Sequence, residues 1–275
     1  MSATLSYIEK NSFIHRMTGT TKLLFFLIWS IAAMMTYDTR VLVGMFVTGV
    51  ILFVLSGLKW REVRFAVLFM AALIAINLIG IYLFSPEQGV RIYGTRHELV
   101  HLFWRYSIVA EQLFYMFNFM MKYLAVIPIA LLFIMATNPS EFAASLNKIG
   151  VSYRVGYAVA IALRYIPDVQ RDYHEISQAQ QARGVDLSRK DKTFERLKNS
   201  AAILFPLVLS SLQRIEVISN AMELRGFGKQ KKRTWIMEKP FVARDYAAVA
   251  FAVLALGISV GFMIHNGGRY FNPFV

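Results

Sequence analysis

The alternation of apolar and polar segments along the chain predicts a membrane protein built from helices. Five apolar stretches have lengths near that of a bilayer span, at residues 23–37, 41–58, 65–84, 113–135 and 246–264. A spanning helix needs about 20 apolar residues, and its backbone must satisfy its own hydrogen bonds in lipid. The first stretch is short, so we expect Thr20, Thr21 and a snorkelling Lys22 to extend it. The pattern therefore indicates an all-α polytopic membrane protein.

Composition and charge add an orientation. The 275 residues are 56% apolar with a formal net charge of +13, and the mean hydropathy is +0.46. Basic residues precede the first stretch and lie between the second and third, and residues 137–244 hold 18 Lys+Arg against 10 Asp+Glu. Because basic loops stay inside, we expect a plasma-membrane protein with a cytoplasmic N-terminus, four spans in residues 1–136, a cytoplasmic domain at 137–244 and a last span in 245–275.

The 137–244 segment has a mixed pattern that favours amphipathic helices along the inner membrane face. Its apolar runs, 155–163 and 201–212, are too short to cross. Ile166, Val169, Tyr173 and Ile176 recur at 3-4-3 spacing and predict one apolar stripe. Pro167 and Pro206 mark kinks or helix starts. Such helices would reach up to about 30 Å if 20 residues are continuous. The other long loop, 85–112, would face outside, and its Phe103, Trp104 and Tyr106 suit an interfacial turn or short helix.

One nine-residue pattern, I-S-x-A-x-x-x-R-G, occurs twice in this segment, at 176–184 and at 218–226. In each copy good helix formers precede Arg183 or Arg225, and the glycine that follows suits a left-handed helix C-cap. The arginines would complement the negative ends of the helix dipoles. In a second interpretation, each guanidinium binds a carboxylate in a groove of another protein. Two equivalent arginines, 42 residues apart in sequence, would then require two equivalent sites beneath the membrane.

Other residue patterns exclude most enzymatic chemistry. The chain has no cysteine and no G-x-x-x-x-G-K-[ST] phosphate-binding loop. His97 and His101 are four apart and could share a helix face, but we interpret them as solvated rather than as metal ligands. We therefore expect no catalytic residue, no metal and no cofactor.

Lys122 and Asn118 lie one turn apart in the fourth stretch and are functional candidates, or they face the helix bundle. The basic run 229–233 is expected to meet anionic lipid headgroups rather than nucleic acid.

Several motifs resemble the transmembrane (T) component of energy-coupling factor (ECF) transporters, the family that also holds the cobalt and nickel transport permease. Residues 11–17 and 21–24 resemble the family's entry into its first span, although Thr18-Gly19 stands where Asp-Pro is usual. Residues 138–142 and 164–167 resemble the start of its coupling region. Two triplets resemble its Ala-Arg-Gly coupling motifs, with Leu224 in the place of the second Ala: Ala182, Arg183, Gly184 and Leu224, Arg225, Gly226.

The resemblance implies a non-catalytic scaffold. T components join a substrate-binding membrane subunit, the S component, to two cytoplasmic ABC-type ATPases, expected here as a heterodimer. One ATPase would receive Arg183 and the other Arg225. ATP-driven closure of the pair would move the coupling helices and release a vitamin or another micronutrient inside a prokaryotic cell.

Two other functions stay open from the sequence. A stand-alone channel or secondary carrier would need polar residues along several spans or an inverted repeat, and the spans hold few polar residues. A membrane enzyme would need a convergent cluster of His, Asp or Glu, which the sequence does not indicate.

Overall fold

The structure, a computed structural model, describes residues 10, 12–103, 106–184, 193–230, 234–235 and 239–274, with backbone alone for 101–103, 106 and 193–199. Its elements are α1 Gly19–Met35, α2 Thr39–Leu55, α3 Trp60–Phe84, α4 Gln88–Tyr93, β1 Glu98–Phe103, β2 Tyr106–Val109, α5 Ala110–Ala136, α6 Pro139–Lys148, α7 Tyr153–Ala182, α8 Thr193–Leu224 and α9 Ala243–His265. The predicted all-α class is confirmed. Asn11 of the first motif, residues 104–105 of the 85–112 loop and residues 231–233 of the basic run lie outside the described residues.

The five predicted apolar stretches coincide with α1, α2, α3, α5 and α9. By length and composition α3, α5 and α9 are able to cross a membrane, whereas α1 and α2 are shorter apolar helices of 17 residues each. One expectation about length is wrong: the run at 201–212 belongs to a longer helical segment, Ser200–Leu224, which is also long and apolar enough to cross. The run ended at Gln213 in the sequence, but the helix continues through this residue and Arg214.

The 85–112 loop contains a short helix, α4, and an antiparallel hairpin that the sequence did not predict. Phe103 and Tyr106, expected in an interfacial turn or short helix, are instead the last residue of β1 and the first residue of β2. Strands β1 and β2 pair with Glu98 opposite Val109 and with an irregular register. His97 precedes β1, and its Nδ1 lies 2.7 Å from Glu111 Oε1 in α5. His97 and His101 therefore do not share a helix face, because the chain at His101 is extended.

The chain divides into two compact units, which we describe separately. The bundle unit comprises Met1–Ser145 with Lys239–Val275, and the middle unit comprises Leu146–Glu238. In the bundle unit α1 packs against α9 and α5, α2 packs against α5, and α3 lies at the edge with Val63 and Ala66 as its buried residues. Its core includes the fully buried side chains of Trp29, Leu42 and Leu131.

A buried ion cluster stabilises the end of the bundle where α1 and α9 begin and α5 ends. Lys22 is 6% exposed and its Nζ donates to the Ala136 carbonyl at 2.6 Å and to Glu141 Oε2 at 3.4 Å. The other Glu141 oxygen accepts from Lys239. We call Lys22, Glu141 and Lys239 the Lys22 clasp. Lys22 does not snorkel as the sequence suggested, because a carboxylate and a helix-end carbonyl solvate it inside the protein.

The first turn of α1 packs closely against the clasp. A Cβ added to Gly19 would lie 2.8 Å from the backbone oxygen of Glu141. The N-cap of the same helix is held from α9, because Asp245 Oδ1 accepts from the Thr18 backbone N–H at 3.0 Å. The first turn of α1 is therefore held both by Glu141 and by the start of α9.

At the opposite end of the bundle, Asp38 joins the loop between α1 and α2 to the end of α9. The carboxylate is 0% exposed and accepts from Arg40 Nη2 and Asn266 Nδ2, each at 2.7 Å. Burial alone would raise the pKa of Asp38, but hydrogen bonds from Arg40 and Asn266 outweigh it and lower the pKa below its ordinary value. Asp38 is therefore a charged group that already has its partners.

Glu141→Gln should destabilise the purified protein strongly. The change leaves Lys22 buried without its counter-ion, and breaking a buried pair from one side costs about 3–5 kcal/mol. The double variant Lys22→Met with Glu141→Gln should lose less, because no buried charge remains. Thermal unfolding in detergent measures both. A double variant less stable than Glu141→Gln alone would contradict the pairing.

Gly19→Ala should destabilise the protein by about 1–3 kcal/mol, the usual effect of one extra methyl group in a closely packed place. Gly44→Ala is the matched control, because a Cβ on this helical glycine would meet nothing within 4 Å. The same unfolding measurement should place the control at or above wild type. Equal midpoints for the two variants would show that α1 does not approach Glu141 this closely.

Candidate functional site

The first arginine of the repeated pattern lies at the end of α7. Ser152 caps the start of this 30-residue helix, and Arg183 is its C-cap residue. Gly184 follows with φ +87°, the left-handed conformation that the sequence predicted for it. Ala182, Arg183 and Gly184 are all exposed. A rigid helix therefore presents the Arg183 guanidinium to solvent at its negative dipole end.

The second arginine occupies the corresponding place after α8. The helix ends at Leu224, whose side chain is 91% exposed, and Arg225 is exposed beside it. Gly226 has φ +67°, so the second predicted left-handed cap is also present. The two copies of the pattern thus have the same local structure. Pro167 and Pro206 lie inside α7 and α8 and are not helix starts.

Helices α7 and α8 pack antiparallel, which separates the two arginines. Near the end of α7, Gln180 Nε2 donates to the Ala202 carbonyl at 3.2 Å. Further back along α7, Asp172 pairs with Arg214 at 2.7 Å. Arg183 and Arg225 therefore lie at opposite ends of the pair, roughly 40 Å apart at a rise of about 1.5 Å per residue. The helices are longer than the approximately 30 Å expected from the sequence.

An aromatic cluster fixes the chain that follows Arg225. The Phe227 ring lies 4.9 Å from that of Tyr157 and 5.6 Å from that of Tyr153, both in the first turns of α7. Arg154 Nη2 donates to the Gly228 carbonyl at 2.9 Å. Sequence reasoning missed this packing, although an aromatic residue directly after the cap glycine is a signal for it. These contacts hold the Arg225 end against the start of α7.

The arrangement favours recognition rather than chemistry. Among the residues that the structure describes, no group of three or more His, Cys, Asp or Glu is placed to hold a metal. The six predicted site residues form two separate sets, one at each end of the helix pair, and the structure does not bring them together. Two exposed cations thus lie at two separate helix ends of the middle unit.

These features define a class, the polytopic helical membrane proteins that carry a separate helical unit with exposed arginines. The family model described as "CbiQ: Cobalt transport protein" matches residues 10–235. The chain therefore belongs to the CbiQ family, and its resemblance to the transmembrane component of ECF transporters is confirmed.

Curated relatives carry the name energy-coupling factor transporter transmembrane protein. The relative from Streptococcus thermophilus is 28% identical over 269 residues, covering 92% of this chain and 94% of its own length. The one from Clostridium kluyveri is 27% identical over 264 residues, with 92% and 94% covered. A relative from Exiguobacterium sibiricum reaches 36% identity over 107 residues, which is 39% of this chain and 40% of that protein.

A pair of spin labels at exposed positions beside the two arginines should report a long distance. The chain has no cysteine, so Gln181→Cys with Glu223→Cys gives one label near each helix end. Pulsed electron resonance should give a distance near 40 Å. The control pair Gln181→Cys with Ala201→Cys lies at one end of the helix pair and should give less than about 20 Å. Similar distances for both pairs would contradict the antiparallel packing.

Proposed function

We propose that this transmembrane component of an ECF transporter couples two cytoplasmic ATPases to a substrate-binding membrane S component. The observation that carries the proposal is the pair of exposed arginines, Arg183 and Arg225, at the two far ends of an antiparallel helix pair. In this proposal each arginine contacts one ATPase subunit. Residues 137–244 are the coupling domain, and the chain itself has no catalytic role.

The chemistry of the helix ends supports contacts of this kind. A guanidinium can pair with a carboxylate through two parallel hydrogen bonds, and a rigid helix end fixes its direction. The left-handed glycines Gly184 and Gly226, together with Ala182, leave the backbone open to close approach. Losing one partner of a desolvated charge pair costs about 2–5 kcal/mol, whereas a pair at the rim contributes far less. Two such contacts would transmit motion from a partner to α7 and α8.

The spacing supports two ATPase subunits rather than one contact surface. A standard protein interface buries about 800 Å² on each partner, a patch too small to include two points roughly 40 Å apart. Energy must come from these partners, because the chain contains no phosphate-binding loop. The closest sequence, Gly226-Phe227-Gly228-Lys229, lacks both the leading glycine and the hydroxyl residue. A heterodimer would provide two similar but distinct acidic grooves.

Exposed apolar side chains on the same helices support a membrane-embedded partner. The predicted stripe of α7 is exposed at Ile166, Val169 and Tyr173, and α8 exposes Leu204 and Phe205. Contiguous apolar surface outside a core is typical of protein or membrane contacts. We assign it to the S component and to lipid, with the middle unit on the cytoplasmic side, where basic segments stay. The proposed cargo, a vitamin or another micronutrient, rests on the family resemblance alone.

Replacing both arginines with glutamate should abolish co-purification of the co-expressed ATPase subunits. Acidic side chains would repel the proposed carboxylates, and each single variant should weaken binding by about 2–5 kcal/mol. Uptake by cells or proteoliposomes that contain the complete transporter should fall in parallel. Helix content should stay at the wild-type level, because both residues are exposed.

Arg171→Glu is the control for each single variant, since this arginine is exposed on α7 and is not at a helix end. This control should retain its ATPases. If the Arg183 and Arg225 double variant still co-purifies with ATPases and supports uptake, the proposed contacts are wrong. Uptake by the purified chain alone in liposomes would favour the stand-alone carrier instead.

A further inference from the structure

An apolar cleft of about 200 Å³ lies in the bundle unit, between the first turns of α1 and α9 and the last turns of α5. Phe25 of α1, Leu132 of α5 and Phe251 of α9 are among the side chains that line it. The cleft opens to the outside of the bundle, where Phe13 is 58% exposed and Phe251 is 43% exposed. An apolar cavity of about 150 Å³ stays dry and has room for a benzene molecule. This cleft therefore suits hydrocarbon rather than water.

Arg244 lies at one end of the cleft and has few partners for its size. It is the second residue of α9, partly exposed, and it lines the cleft. Its Nη2 donates to the Arg16 carbonyl at 3.2 Å, and its Nε has no partner among the described residues. The neighbouring Asp245 carboxylate accepts from the backbone N–H groups of Thr18 and Val242 rather than from Arg244. Because a guanidinium has five N–H donors, Arg244 can still bind an acceptor.

Positive charge exceeds negative charge at this end of the cleft. Lys22 also lines the cleft, next to the clasp. Lys22, Arg244 and the charged residues in contact with them comprise four basic residues, Arg16, Lys22, Lys239 and Arg244, and two carboxylates, Glu141 and Asp245. Phosphate is the group that a guanidinium binds through two parallel hydrogen bonds. One end of the cleft therefore favours an anion, while its walls favour a hydrocarbon chain.

The order of these two parts along α9 matches that of a membrane lipid. Arg244 comes just before the span predicted at 246–264, and Lys22 just before the one predicted at 23–37. Both cations therefore lie at the level of the lipid headgroups, and the predicted orientation places them at the inner surface. Phe251 lies seven residues further along α9, about 10 Å deeper at the usual helical rise. The apolar part of the cleft thus lies at the depth of the acyl chains.

We propose that the cleft binds one acyl chain of an anionic phospholipid, whose phosphate pairs with Arg244. A free phosphate ion would leave the apolar walls uncovered, and a zwitterionic lipid would not offset the surplus of positive charge. The bound lipid contacts α1, α5 and α9 at once, beside the Lys22 clasp. This inference is independent of the ATPase contacts, because every residue of the site belongs to the bundle unit.

Native mass spectrometry of the purified full chain in detergent, titrated with dioleoyl phosphatidylglycerol, tests the headgroup contact. Wild type should bind one lipid with higher affinity than any further lipids, and should bind dioleoyl phosphatidylcholine more weakly. Arg244→Gln should weaken the first site at least about tenfold, as expected for the loss of a hydrogen bond between charged groups. Arg64→Gln is the matched control, because this arginine is exposed near the start of α3 and does not line the cleft. Its affinity should stay within about twofold of wild type.

Equal losses in Arg244→Gln and Arg64→Gln would show a diffuse attraction to basic residues and overturn the proposal. Equal affinities of wild type for the two lipids would also overturn it. Absence of a tightly bound lipid in wild type would overturn it as well, and would leave the cleft to another protein chain.

Ala248→Phe tests the acyl chain separately, because Ala248 lines the cleft and a phenyl ring would occupy part of it. Affinity for phosphatidylglycerol should fall at least about tenfold, the loss expected when roughly two methylene groups leave an apolar site. Ala250→Phe is the control, since Ala250 is exposed on the same helix and does not line the cleft. Thermal unfolding checks that both variants fold. Unchanged affinity in a folded Ala248→Phe variant would overturn the proposal even if Arg244→Gln weakens binding, and if Ala248→Phe does not fold, the arginine variants decide.

Discussion

The bundle depends on one buried carboxylate. Glu141 binds Lys22 from α1 through one oxygen and Lys239 through the other. Glu141 and Lys239 lie a few residues outside the two chain ends of the middle unit, Leu146 and Glu238. Both connections to the middle unit therefore leave the bundle next to the same ion cluster. Separating Glu141 from Lys22 would leave a buried charge without its partner, so the ion pair holds the start of α1 to this place in the bundle.

In the middle unit, local sequence determines where α7 and α8 end, and packing between the two helices determines how far apart these ends lie. Each arginine takes its position from a helix C-terminus and a left-handed glycine, both of which are local features. The distance between them comes from antiparallel packing through pairs such as Asp172 with Arg214. A parallel pair would present both arginines at one end and could serve a single acidic surface. The antiparallel arrangement is what makes two separate contacts possible.

The difference between local features and long-range packing also explains what could be predicted from the sequence. Apolar runs near the length of a bilayer predicted α1, α2, α3, α5 and α9, and Gly184 and Gly226 predicted the helix caps. The burial of Lys22 was missed because its partner Glu141 is 119 residues away, and periodicity carries no information on such pairs. The β1–β2 hairpin was missed because each strand is too short to be recognised from sequence periodicity alone, without its pairing partner. The length of α8 was underestimated because Gln213 and Arg214 interrupt an apolar run without interrupting a helix.

Two lysines of the bundle that have the same exposure differ in the contacts that compensate for their burial. Lys22 and Lys122 are each 6% exposed as whole residues. For Lys22, hydrogen bonds to the Ala136 carbonyl and Glu141 replace those that the ammonium group would make to water, so this group needs no further ligand. Lys122 instead has its Nζ 3.7 Å from the centroid of the Tyr37 ring, a cation–π contact that contributes about 2 kcal/mol when desolvated.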